Sequence, residues 1–168
     1  MSSNRSYAMS WTKTDRAGKE ARQIADRHYN RQSIGAAQFV PPGRCLVLDQ
    51  PKALWITSWP LAEFVKHAWP GAWMCSAFRN EGAGLSSDLI RQAVAATRAV
   101  MGEPPELGMV TFVDPKKTRH KRDPGRCFIK AGFKRVGMTE GGLIALQLLP
   151  ADMPEPLEPF GLTLELAV

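Results

Sequence analysis

The chain has 168 residues, of which 44% are hydrophobic and 23% charged, and its net charge is +6. That is the size of one domain with enough interior to fold without disulfides or a structural metal. No run approaches the roughly 18 apolar residues of a membrane span, and the opening MSSNRSYAMS lacks the apolar core of a signal peptide. The three cysteines, Cys45, Cys75 and Cys127, match neither a disulfide framework nor a C-x-x-C metal site. The expectation is a cytoplasmic protein with no metal site and no membrane partner.

In chain order, Thr12 to about Tyr29 is rich in helix formers. Ala17, Ala21, Ile24, Ala25 and His28 recur at helical spacing, which predicts a helix. Pro41-Pro42-Gly43 closes a loop. Arg44–Leu48 and Ala53–Ser58 are apolar runs separated by Asp49-Gln50-Pro51-Lys52, a hairpin pattern. Pro60 opens a predicted short helix, LAEFVKHA, ended by Trp69-Pro70-Gly71. A buried strand follows over Ala72–Phe78. Leu85, Leu89, Ile90, Ala93, Val94, Thr97 and Val100 then mark an amphipathic helix that stops at Gly102. Leu107–Val113 is an apolar strand. Pro124–Gly132 reads as a short helix, and FKRVGM and GLIALQLL are the last strands. Residues 1–150 are expected to form one domain and residues 151–168 a Pro-rich acidic tail. The alternation of elements predicts an α/β fold, a mixed sheet with helices on both faces.

Charge is unevenly placed. Residues 116–135 carry nine basic residues against one acid, Asp123, whereas residues 140–168 carry five acids and no base. Lys116, Lys117, Arg119, Lys121, Arg122 and Arg126 form a cluster that would attract a polyanion, nucleic acid first. The plainer reading is a solvated loop that serves solubility.

The strongest local motif is a strand ending at Phe78, then Arg79-x-x-Gly82-x-Gly84, then a helix. Glycines permit close backbone approach, and the free N–H groups of a helix start attract phosphate. Arg79, Gly82, Gly84 and Ser86 are therefore candidates for holding a phosphate-bearing donor. A ligand-free strand-to-helix turn is the alternative. The third glycine and the distal acid of a dinucleotide fingerprint are missing.

This strand, R-x-x-G-x-G, helix pattern resembles motif A of the GCN5-related N-acetyltransferase (GNAT) superfamily. Cys127-Phe128-Ile-Lys130-Ala-Gly132-Phe133 resembles that superfamily's later L-Y-x-K-x-G-F signature. The resemblance spans roughly residues 20–148. It implies a GNAT-like, mostly antiparallel central sheet with an acyl-CoA donor on the glycine loop. The chain departs from the pattern at Phe128, where the superfamily often uses a tyrosine as general acid. Cys127, next to it, is the adjacent titratable group.

A narrower resemblance is to phage Mom-type DNA-modification proteins. It rests on Arg27-His28-Tyr29-Asn30, on Asp114 after the strand that follows the long helix, on Gly125–Phe133, and on Gly137-Met-Thr139. It implies transfer of a small acyl-type group to a base in DNA, with His28, Tyr29, Asp114 and Cys127 as candidate catalytic residues. The alternatives are an acyl-CoA-dependent N-acetyltransferase acting on a small amine or protein, and a non-catalytic GNAT-like nucleic-acid-binding protein. Simpler roles also stand: His28 and Tyr29 as a helix-end cation and a packing aromatic, Asp114 as a strand terminator, and His67 as a surface histidine. Trp55, Trp59 and Trp69 fall around the hairpin and short helix, as core or as a base-stacking group.

Overall fold

Thr12–Thr14 form a short strand, β1, instead of the first turn of the expected helix. Its two threonines are β-branched, and a neighbouring strand is available to pair with them, so sheet pairing prevails over helix propensity. The helix itself, α1, is Lys19–Asp26. The computed structural model describes residues 8–15, 19–27, 44–117 and 124–162.

Arg44–Gln50 (β2) and Ala53–Trp59 (β3) pair antiparallel, and the register closes at Gln50↔Ala53. Pro51 and Lys52 alone make the turn, with Lys52 at φ 67°. The predicted helix after Pro60 shrinks to a 3₁₀ turn over Ala62–Phe64, none of whose residues is buried. A short helix with no face packed against the core has little to hold it. Trp73–Asn80 (β4), the helix Ser86–Met101 (α2) and Met109–Val113 (β5) follow. Arg126–Lys130 (α3), Lys134–Met138 (β6) and Ile144–Leu148 (β7) come next, and a 3₁₀ turn spans Pro150–Asp152.

The strands form one open, seven-stranded sheet in the order β1-β2-β3-β4-β5-β7-β6. Among the described strands, β4 and β5 are the one pair that runs parallel. The chain is thus a mixed α/β fold with a mostly antiparallel sheet and few helices. None of the described helices is long and apolar enough to cross a membrane.

Alternate residues of the central strands feed two apolar clusters, as the two-residue period of a strand requires. Val47, Leu54, Ile56 and Ala77 pack with Ala21, Ile24 and Ala25 of α1. Leu46, Leu48, Trp55, Trp73 and Cys75 pack with Leu89, Ile90, Ala93 and Val94 of α2. A buried polar thread crosses the second cluster: Trp55 Nε1 donates to Thr57 Oγ1 at 2.7 Å, which lies 2.9 Å from Thr97 Oγ1.

Beyond β7 the described residues, to 162, stay on the domain. Arg98 Nη1 donates to the Pro154 carbonyl at 2.7 Å, and the Leu157 N–H donates to the Ala95 carbonyl at 3.1 Å. Phe160 then bridges Thr12 in parallel. The Lys13 N–H donates to the Phe160 carbonyl at 2.7 Å, and the Phe160 N–H donates to the Trp11 carbonyl at 3.0 Å.

Candidate functional site

β4 and β5 run parallel but pair over only three residues each, Trp73↔Met109, Met74↔Val110 and Cys75↔Thr111. The pairing stops at an irregularity on β4. Against β3, Ile56 is opposite Ala77 and Thr57 opposite Cys75, so Ser76 is an extra residue. A bulge bends and re-aims its strand. Beyond it, Ala77–Asn80 keep β3 as a partner on one side and have no β5 pairing on the other. Backbone groups on that side need another partner. The sheet therefore opens in its middle, and β4 leads from the opening directly into the glycine loop.

The loop is built around Asn80. Its side-chain carbonyl accepts the N–H groups of Gly82 at 3.1 Å and Ala83 at 2.8 Å. Its amide donates to the Gly84 carbonyl at 2.7 Å and to Ser86 Oγ at 2.9 Å. An Asn that turns the chain in this way is common in Asx turns. It uses two of the N–H groups that the motif alone would offer to an anion. The next ones, on Gly84, Leu85, Ser86 and Ser87, have no acceptor among the described residues, since the first capping bond runs from the Leu89 N–H to the Leu85 carbonyl. Gly82 and Gly84 have φ of 108° and 143°. A Cβ on Gly84 would meet nothing within 4 Å, so the space before the loop is open.

Arg79 turns to Glu81: its Nε donates to Glu81 Oε2 at 2.7 Å. Arg27, at the end of α1, grips the same carboxylate with two donors, Nε at 2.7 Å and Nη2 at 2.6 Å. The Arg27 and Arg79 guanidiniums draw the Glu81 carboxyl down from its ordinary 4.5 to about 2. Two guanidiniums thus share one carboxylate beside the helix-start N–H groups, and Asp88 adds a second acid in the first turn of α2.

Asp114 lies where β5 ends. Its Oδ1 accepts the N–H groups of Lys116 at 2.9 Å and Lys117 at 3.4 Å, so it also shapes the turn that presents those lysines. Lys116, Lys117 and Arg126 are exposed. Cys127, in the first turn of α3, packs against the α2-side cluster. Burial pushes the Cys75 thiol up, and the nearby Cys127 adds to that push. Phe128 is 7% exposed and packs in an aromatic group with Trp55, Phe78 and Phe133, at centroid distances of 6.4, 6.0 and 5.3 Å. His28, Tyr29, Arg119, Lys121 and Arg122 lie outside the described residues.

The fold brings Arg79, Gly82, Gly84 and Ser86 together at the loop, as their closeness in sequence requires. Asn80, Glu81 and Arg27 belong to the same arrangement and were not singled out as donor-loop residues by the motif. Asn80 before Glu-Gly carries a readable Asx-turn signal. The Arg27–Glu81 pair, 54 residues apart, carries none. Among the described residues no group of three or more His, Cys, Asp or Glu is placed to hold a metal ion. Compared with protein-family models, curated proteins and solved structures, the chain matches none.

Proposed function

We propose that this chain is a GNAT-like transferase of the Mom type, which attaches a small acyl-type group to a base in DNA. One observation carries the reading. The parallel pair β4–β5 opens beyond Cys75, and the freed half of β4 runs into a glycine loop whose N–H groups at 84–87 lack acceptors among the described residues. Such a track suits a long donor with a phosphate at one end, bound along the strand edge and at the helix start. The mostly antiparallel mixed sheet supports the implied fold.

The residues present fit an acyl-CoA donor. The backbone of Gly84–Ser87 would hold its pyrophosphate, with Arg79 and Arg27 adding positive charge nearby. Such a donor supplies an acyl carbonyl activated as a thioester. The chain's own contribution is to hold the amine of the base at the opening and to take its proton. His28 is the proposed base, because an imidazole can take and release a proton near neutral pH. Asp114, at the end of β5, is the proposed partner that would orient and stabilise the imidazolium. The exposed Lys116, Lys117 and Arg126 would bind the DNA phosphates. A base inside a duplex has to be flipped out, at a cost of a few kcal/mol, unless the target is single-stranded.

Mass spectrometry of nucleosides from DNA of cells with and without the expressed protein tests this. A new modified nucleoside in the expressing cells is expected. Its absence, together with acetylation of a small amine by the pure protein, would favour a plain N-acetyltransferase. One feature favours a third reading, a binding protein without catalysis. Phe128 has no proton to donate, and its ring is packed among Trp55, Phe78 and Phe133.

A further inference from the structure

The three tryptophans around the hairpin have different fates. Trp55 is fully buried, and Trp59 packs edge-on against Trp73 with Arg44 over its ring at 4.9 Å. Trp69 instead joins a half-buried group. Its centroid lies 6.1 Å from His67 and 6.0 Å from Phe112, and His67 lies 5.1 Å from Phe112. All three rings are only partly buried. The loop that carries His67 and Trp69 also holds Leu61 and Phe64, 63% and 74% exposed.

Phe112 gives this group its place. It is the β5 residue immediately after Thr111, where pairing with β4 ends. The rings therefore flank the opening in the sheet. Phe112 alternates with Thr111 and Val113, whereas Met109 and Val113 belong to the α2-side cluster. The aromatic group thus lies on the other face from the partly buried Phe78 and the buried Phe128. His67 is held in place, since its Nδ1 accepts the Trp69 N–H at 3.0 Å. A neutral His67 then carries its proton on Nε2, a donor for a polar edge. Burial lowers its pKa, which favours that neutral form.

The charge around the group indicates its occupant. Lys66 adjoins His67 and is exposed, and β5 runs on from Phe112 to the exposed Lys116 and Lys117. The nearby acids in sequence are the exposed Glu63 and Asp114, whose Oδ1 is engaged by the Lys116–Lys117 turn. Partly exposed aromatic rings with exposed lysines next to them in the chain match an unstacked base on a phosphate backbone: the rings stack on its face and the cations neutralise its strand.

We infer that His67, Trp69 and Phe112 form a stacking platform for a nucleobase of single-stranded or locally unpaired nucleic acid, at the β4–β5 opening. This rests on the nucleic-acid reading above and adds the element that receives the base.

The test is fluorescence anisotropy with a labelled single-stranded oligothymidylate and with an abasic strand of equal length, using the full chain. Far-UV circular dichroism and thermal melting check the fold of each variant. Trp69→Ala is expected to weaken binding of the thymidylate roughly 5- to 150-fold, the range for losing one base stack. The slope of affinity against salt should not change, because no charge is removed. Trp69→Phe should restore most of the affinity and Phe112→Leu should lose part of it, so the result does not depend on one variant folding. Wild type should bind the abasic strand about as weakly as Trp69→Ala binds the thymidylate. Equal wild-type affinity for both strands, with a steep salt dependence, would overturn the platform while the nucleic-acid reading stood. Binding of neither strand would overturn both. Sedimentation decides the remaining occupant: self-association of wild type that Trp69→Ala abolishes would assign the face to a second copy and overturn the inference.

Discussion

Arg27 and Glu81 are joined by two parallel hydrogen bonds, 2.7 and 2.6 Å long, which tie the end of α1 to the glycine loop. Arg79 shares the same carboxylate. The lowered Glu81 pKa gives this link a pH signature. Its stabilising effect is full above the ordinary 4.5 and is lost as pH falls through about 2. Glu81→Gln should therefore lower stability modestly at neutral pH, since exposed pairs are screened and weak. The difference from wild type should vanish towards pH 2. Denaturant titrations of both proteins across this range check it, and a constant difference down to pH 2 would contradict the link.

Donor binding at the loop is tested with the fold preserved. Ser86 is the first residue of α2 and Leu85 before it is extended, with φ −71° and ψ 122°. Both positions suit a proline at 86, which removes one N–H, together with the Oγ that accepts from Asn80, without breaking the helix. Ser86→Pro should weaken coenzyme A binding about 10-fold, as for loss of one hydrogen bond to a charged group. Gly84→Val should weaken it further, though its φ of 143° adds strain of ~1–3 kcal/mol to the fold. Calorimetric titration reads both, and unchanged affinity in the two variants would remove coenzyme A from this loop.

Nucleic-acid affinity should depend steeply on salt. With six to eight phosphates bound, log K against log salt should fall with a slope of roughly −5 to −7 for duplex. Replacing Lys116, Lys117, Lys121 and Arg122 by Ala should reduce the slope by about one unit for each phosphate left without its cation. A flat dependence in wild type would leave the basic run as a solvated surface.

Catalysis should depend on His28 and Asp114 together. His28→Ala and Asp114→Asn should each lower base modification about 100-fold or more, with DNA affinity nearly unchanged. Asn at 114 keeps an acceptor for the Lys116 and Lys117 N–H groups, so the turn survives. The double variant should lose little beyond the worse single one. Wild-type modification by His28→Ala, measured on nucleosides, would move the search to Tyr29 and Cys127.

Local patterns made much of the fold legible in the sequence. The hairpin Arg44–Trp59, the helix Ser86–Met101, the strand Met109–Val113 and the short helix around Phe128 are each written within a few neighbouring residues, by strand or helix period and by Gly or Pro at their ends. The glycine loop and the basic run are legible for the same reason. Tertiary structure decided whatever joins distant residues. Thr12–Thr14 became a strand because β2 offered pairing partners, and the Ala62–Phe64 turn stayed short because no core face received it. The opening of β4 from β5, the Glu81 link to Arg27, and the full burial of Trp55 beside the partial burial of Trp69 depend on which strands meet and in what register. Pairing register and burial are energies of contacts between segments far apart in the chain, and no local window of sequence contains them.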